Sequence, residues 1–186
     1  MKKLAVIFPG VGYTCTKPLL YYTASVARDA GYRVLQLDYG DDIHTFKGRK
    51  EAELIPVIEL AKTRVLENQL KNIDWSHYEK IVFISKSIGT VIACDVEKYL
   101  GLKVKQFLIT PIPATMPYLG KVNGLFFSGT ADPYISSKKV AKAVKRYPKK
   151  VGGIFEGCNH SLEHPGHTVE NLKNVKAVVK TIKKEL

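Results

Sequence analysis

I-V-F-I-S-K-S-I-G, residues 81–89, passes from the pattern of a buried strand to that of a helix. Its four leading apolar residues, rich in β-branching, suit a strand buried on both faces. Beyond Gly89 the apolar residues Val91, Ile92, Val96, Tyr99 and Leu100 recur at helical spacing, so strand turns abruptly into helix at Ser87. A serine on such a corner holds its hydroxyl clear of the sheet, and small residues two before and two after it, Ser85 and Gly89, let strand and helix approach. That geometry asks for small volume at position 85, which Ser supplies as Gly would. The helix from Ile88 also directs its positive end at the site, favouring negative charge on a substrate oxygen.

The strands around this corner fit one domain. A chain of 186 residues has room for a single α/β core over 1–186. Its 45% hydrophobic and 25% charged content is that of a soluble globular protein, which excludes a disordered chain. The start, M-K-K-L-A-V-I-F-P-G, has the basic residues of a signal peptide, but its apolar run ends at Phe8, short of the about seven residues that region needs; it reads as a first strand. No apolar stretch approaches the roughly 20 residues of a membrane span, so no stable membrane insertion is expected. Cys15, Cys94 and Cys158 are odd in number and form no C-x-x-C pair, which fits a reduced, cytoplasmic setting. The net charge of +12 raises nucleic acid, membrane surfaces and anionic substrates as partners. Its carriers lie mostly in 138–150 and 173–184, where Lys alternates with Val and Ala at helical spacing, as on outer helices with solvated lysine faces. Neither segment interleaves aromatics with Arg, so no nucleic-acid partner is expected.

In chain order, strands are predicted at 3–8, 33–37, 78–85, 104–109, 125–128 and 151–155. Helices are predicted at 17–30, ended by Gly31, then over a long stretch from about 50 to about 72 with Pro56 opening or kinking it, and at 88–100, 136–146 and 168–184. Alternation of this kind gives a three-layer α/β/α architecture around a mostly parallel six-stranded sheet. Right-handed crossovers put the third strand beside the first, so the loops after those two strands meet where ligands bind.

Acyl transfer by a serine needs a base for the hydroxyl proton, a group to orient that base, and donors for the oxyanion. Strand five runs into Ser128-Gly129-Thr130-Ala131-Asp132-Pro133, and strand six into Gly157-Cys158-Asn159-His160-Ser161-Leu162-Glu163, which places a carboxylate and an imidazole in consecutive loops. With S-K-S-I-G, G-T-A-D-P and C-N-H-S-L-E as corner, acid turn and histidine loop, the chain resembles a compact α/β-hydrolase of the dienelactone-hydrolase-like or small-esterase kind, from Leu4 to the last helix.

The resemblance implies a minimal α/β-hydrolase fold without a cap domain and the triad order Ser87, Asp132, His160. It further implies an oxyanion donor in the loop after the first strand. Pro9-Gly10-Val11-Gly12 stands where such enzymes often carry His-Gly-x-Gly, so the N–H of Val11, or failing that of Gly12, is the first donor and that of Ile88 the second. The strands that usually precede this one are absent, and Pro9 replaces the common His. The implied activity is cleavage of a small-molecule ester, with thioester and amide as the alternatives, through an acyl-enzyme, without metal or organic cofactor, and with His160 acting as neutral base at a pKa near or below 7. The segment 111–122 is a short Pro-rich loop, so a shallow, open site is expected. Tyr13, Tyr39 and Tyr134, with Met116, lie on loops that could line it.

Three other readings compete. Gly10-x-Gly12-x-x-Cys15, followed by Asp38, imitates a dinucleotide-binding fingerprint, although Cys15 replaces its third glycine and Pro9 sits in the turn. Asp41, Asp42 and His44, or His160, His164 and His167, could be drawn as metal ligands, and Cys158 or Cys15 as nucleophiles on no such corner. A hydrolase fold used only for binding is the third; a turnover assay separates it.

Overall fold

Burial on both faces makes the strands nearly continuous apolar runs, and each such run needs helices above and below it. The computed structural model, which describes residues 2–186, meets that need with one six-stranded sheet. Its strands are β1 (Lys3–Phe8), β2 (Arg33–Gln36), β3 (Lys80–Lys86), β4 (Lys105–Ile109), β5 (Gly124–Gly129) and β6 (Val151–Phe155). They lie in the order β2-β1-β3-β4-β5-β6, and every neighbouring pair is parallel.

Side chains alternate between the two layers with the two-residue period of a strand. Ala5, Ile7, Val82, Ile84, Phe107 and Ile109 pack with α1 (Pro18–Asp29) and α6 (Thr168–Glu185). Leu4, Val6, Phe8 and Phe83 pack on the other side with α3 (Glu51–Val65) and α4 (Ile88–Leu100). Phe8 and Phe83 are fully buried with ring centroids 4.9 Å apart, and burial of each such ring is worth roughly 2–3 kcal/mol. A smaller cluster under α5 (Ser137–Arg146) joins Phe126 and Leu108 to Ala143.

Three segments differ from the expected pattern. The polar loop after β2 contains a one-turn helix, α2 (Asp41–His44). Arg64 fastens it, with its guanidinium donating to both Asp42 oxygens at 2.6 and 2.8 Å and to the Tyr39 carbonyl at 2.7 Å. The long helix carries Pro56 inside α3 and stops being α-helical at Val65, continuing as a π turn over Leu66–Leu70. The Pro-rich segment coils into a 3₁₀ turn, Pro113–Tyr118, because buried Thr115 bonds Thr90 between hydroxyls at 2.7 Å and the Tyr118 hydroxyl donates to Asp95 at 2.5 Å.

Candidate active site

The serine corner is built from strain and close approach. Ser87, between β3 and α4, has φ 56° and ψ −124°, a region that L-residues rarely occupy and that persists only where its surroundings hold it. Its N–H donates to the Ile109 carbonyl at 3.1 Å, and its own carbonyl accepts the Thr90 hydroxyl at 2.6 Å. A Cβ at Gly89 would lie 2.4 Å from the Pro9 carbonyl oxygen, so the elbow helix can reach the loop after β1 only with hydrogen there. Ser85 is fully buried and donates to the Phe107 carbonyl at 3.3 Å, which satisfies the hydroxyl that glycine would lack.

The acid and imidazole loops meet at the end of the sheet. A Cβ on Gly129 would come within 2.2 Å of the Cys158 carbonyl oxygen, which sets how closely the two loops pack. The Ala131 N–H donates to that carbonyl at 3.0 Å, and the Gly157 N–H to the Thr130 hydroxyl at 2.7 Å. Asp132 has no exposed side-chain surface; its Oδ1 accepts the Tyr134 N–H at 2.9 Å and its Oδ2 lies 2.6 Å from Nδ1 of His160. Nε2 of the same ring lies 2.8 Å from the Ser87 hydroxyl. Since an ionised carboxylate only accepts, Nδ1 carries the proton and Nε2 turns its lone pair to the serine. Burial, and next the nearby Lys86 ammonium, lower the His160 pKa to about 4 against the opposing pull of Asp132, so the ring is neutral at pH 7.

No protein-family model matches the sequence, and no curated protein does. Solved structures match along its whole length. A protein from Xanthomonas campestris pv. campestris, described under the alpha/beta superfamily of hydrolases, superimposes with TM-score 0.67 at 16% identity over 99% of this chain and 97% of that one. An alpha-beta serine hydrolase homologue from Coxiella burnetii gives 0.61 at 13% identity over 96% and 84%. The Pyrococcus furiosus esterase Pf2001 gives 0.54 at 12% identity over 98% and 83%. This chain has the α/β-hydrolase fold. At these identities the likeness is one of architecture, and the sheet order and serine corner already described are its substance.

In this α/β-hydrolase fold a cavity of about 370 Å³ opens at Ser87 and His160. Val11, Gly12, Tyr13 and Tyr134 line it, with Tyr134 stacked at a tilt against the imidazole, ring centroids 4.6 Å apart. The Tyr13 hydroxyl accepts the Leu19 N–H at 3.1 Å, and burial pushes its pKa up to about 12. Tyr39 does not join them. It is wholly buried because the chain turns inward after β2, where Gln69 brackets Asp38 by accepting its N–H at 3.0 Å and donating to its carbonyl at 2.6 Å. The N–H of Gly12 donates to Nδ1 of His44 at 3.1 Å, so that amide is already engaged. Ile88 opens α4, where the first amides have no acceptor within the helix. The expected open mouth has a wall on one side: Phe46, Lys47 and Leu54, from the segment after α2 and the start of α3, border the cavity.

The rival constellations come apart in space. The glycines after β1 form a tight bridge, Gly10 and Tyr13 exchanging backbone bonds of 3.0 and 3.2 Å, while α1 starts only at Pro18, so Gly12 does not open that helix. The Asp38 carboxylate accepts the Gly40 N–H at 2.9 Å. Cys15 is buried, and burial pushes its thiol up to about 12. Asp42 is held by Arg64, and His164 donates to the Glu156 carbonyl at 3.0 Å; among the described residues no three metal-ligating side chains gather. Lys86 also borders the cavity, and the only signal of it in the sequence is a lysine at the end of an otherwise apolar strand.

Proposed function

We propose that the protein is a serine hydrolase that cleaves small acyl esters through an acyl-enzyme. The observation that carries this reading is the unbroken chain from the Ser87 hydroxyl through the His160 ring to the Asp132 carboxylate, at 2.8 and 2.6 Å. In it the Ser87 oxygen bonds to the ester carbonyl carbon as its proton passes to Nε2 of His160, and Asp132 holds the ring in that tautomer and stabilises the imidazolium. The N–H groups of Val11 and Ile88 receive the oxyanion, helped by the positive end of α4. Nε2–H then protonates the departing alcohol, and a water activated by the same nitrogen releases the acid and restores the serine. The steps consume no metal and no organic cofactor.

Tyr13 and Tyr134 are the aromatic contacts for substrate, and a cavity of about 370 Å³ suits a small acyl group. A similar solved structure is described as an esterase, which favours esters over amides. Three buried free cysteines fit a reduced, cytoplasmic setting, and no described helix is long and apolar enough to cross a membrane. The partner proposed is a small-molecule ester, with no nucleic acid. A fluorophosphonate probe tests the reading: peptide mapping should find the adduct on Ser87 of the native protein and none after heat denaturation. A folded protein left unlabelled would contradict it.

A further inference from the structure

The last residue of β3 is a charged side chain at a place where an apolar one would fill the space. Lys86 is 1% exposed, and its Nζ donates to the Thr110 hydroxyl at 2.8 Å and to the main-chain carbonyl of His160 at 2.7 Å. The same nitrogen lies over the Tyr13 ring, 4.4 Å from its centroid. Thr110, the residue after β4, is held at φ 45°, so the two strands flanking this ammonium are each followed by a residue in a strained backbone conformation, Ser87 and Thr110. Burying an ammonium is unfavourable unless its neighbours offset the lost hydration, and an apolar residue of equal volume would avoid that cost. The groups facing Lys86 are Asp132 and Glu163, which favour its charge, with His160, which its charge opposes, and the Tyr13 phenol. The sheet does not need such a residue. The histidine loop does, because Lys86 is its direct tie to the strand that presents the serine.

We propose that Lys86 is a positioning residue for the triad: seated between the Thr110 hydroxyl and the His160 carbonyl, it fastens the imidazole loop to the nucleophile strand. This rests on the serine-hydrolase reading. Burial lowers the Lys86 pKa to about 7, so the side chain is cationic through the acid range in which His160 takes up its proton. A cation a few ångströms away shifts such a group by about 1–3 pH units, and loss of alignment of about 1 Å at a base costs about 100-fold in rate.

The test compares the wild type with Lys86→Met and Lys86→Gln, the second retaining a donor for either acceptor without the charge. Two readouts are taken. The His160 ring is titrated by NMR without substrate, and kcat and KM for 4-nitrophenyl acetate are measured across pH. In both variants the His160 midpoint and the acid limb of kcat/KM should rise by about one pH unit or more. In Lys86→Met kcat should fall about 10- to 100-fold with KM nearly unchanged, and Lys86→Gln should recover part of that loss. Should Lys86→Met not fold, Lys86→Gln alone decides both readouts. An unmoved His160 midpoint, or an unmoved kcat, in a folded variant overturns the proposal. A wild type that labels and turns over nothing defeats the hydrolase reading instead, and the titration still reports whether Lys86 governs the imidazole.

Discussion

Nε2 of His160 stands 2.8 Å from the hydroxyl of Ser87, a residue 73 positions earlier in the chain. The parallel sheet produces this meeting: β3, β5 and β6 all end at one edge, and the loops leaving them carry the serine, the carboxylate and the imidazole. The loops are pinned by contacts in which even a methyl group would not fit, at Gly89 and Gly129. Alignment of Ser87, His160 and Asp132 therefore depends on packing at the sheet edge as much as on the three side chains themselves.

Asp132→Asn tests the orienting role. The amide keeps the volume of a side chain with no exposed surface but presents a donor that can favour the wrong imidazole tautomer. A kcat loss of about 1,000- to 10,000-fold is expected with the melting temperature little changed. A loss under about tenfold would show that the carboxylate does not set the ring.

The pH profile reports the buried imidazole. An ordinary histidine would give an acid limb near pH 6.5, whereas His160 is lowered to about 4, so kcat/KM should stay level from neutrality to about pH 5 and halve near pH 4. Stability follows in the same window. The unfolded chain takes a proton on this histidine near pH 6.5 that the folded protein refuses until about 4, so this group makes unfolding easier as pH falls between those values. Lys86 acts likewise at higher pH: it is lowered to about 7 from an ordinary 10.5, so its contribution to stability declines as pH falls from 10.5 to 7. Chemical denaturation across pH should lose that second slope in Lys86→Met.

Gly89→Ala should weaken the fold and the site together. The added methyl carbon would meet the Pro9 and Phe8 carbonyl oxygens at 2.4 and 2.6 Å, contacts that only backbone movement relieves. A stability loss of about 2 kcal/mol is expected by denaturant titration, with turnover reduced because the elbow and the Val11 loop are pushed apart. Unchanged stability would show that the close approach is not obligatory.

Tyr39→Phe should move stability the other way. The Tyr39 hydroxyl is buried and has no hydrogen-bond partner among the described residues, and burial raises its pKa well above the ordinary value. Removing an unsatisfied hydroxyl should leave the protein equally stable or up to about 1 kcal/mol more stable, with unchanged ester turnover, by thermal and denaturant melts. A loss of more than about 1 kcal/mol would mean that the hydroxyl is satisfied in solution.

Much of this architecture was legible in the sequence because the deciding signals were local. The run into Ser87 declares its strand through β-branching and its helix through period, and the loops after β5 and β6 follow from strand ends that Gly129 and Phe155 mark. What was not legible depends on contacts between distant residues. Tyr39 reads as a loop aromatic until Arg64 and Gln69, on later turns, draw its backbone inward. The amide of Gly12 looks available until His44 is brought against it. Phe46 and Lys47 carry no periodic signal that points them at a cavity; the bidentate Arg64–Asp42 pair, joining α3 to α2, holds the helical turn that leads into them. Lys86 was visible as an anomaly of composition, but its meaning needs Thr110 and the His160 carbonyl, which the third dimension supplies.

Whether Ser87 is the nucleophile is decided by the turnover of a short-chain activated ester, such as 4-nitrophenyl acetate, by purified wild type and by Ser87→Ala. Removal of one hydroxyl from a residue 8% exposed should leave the circular dichroism and melting temperature as they were and lower kcat by about 10,000-fold or more. A folded Ser87→Ala protein that hydrolyses the ester at the wild-type rate would contradict the account.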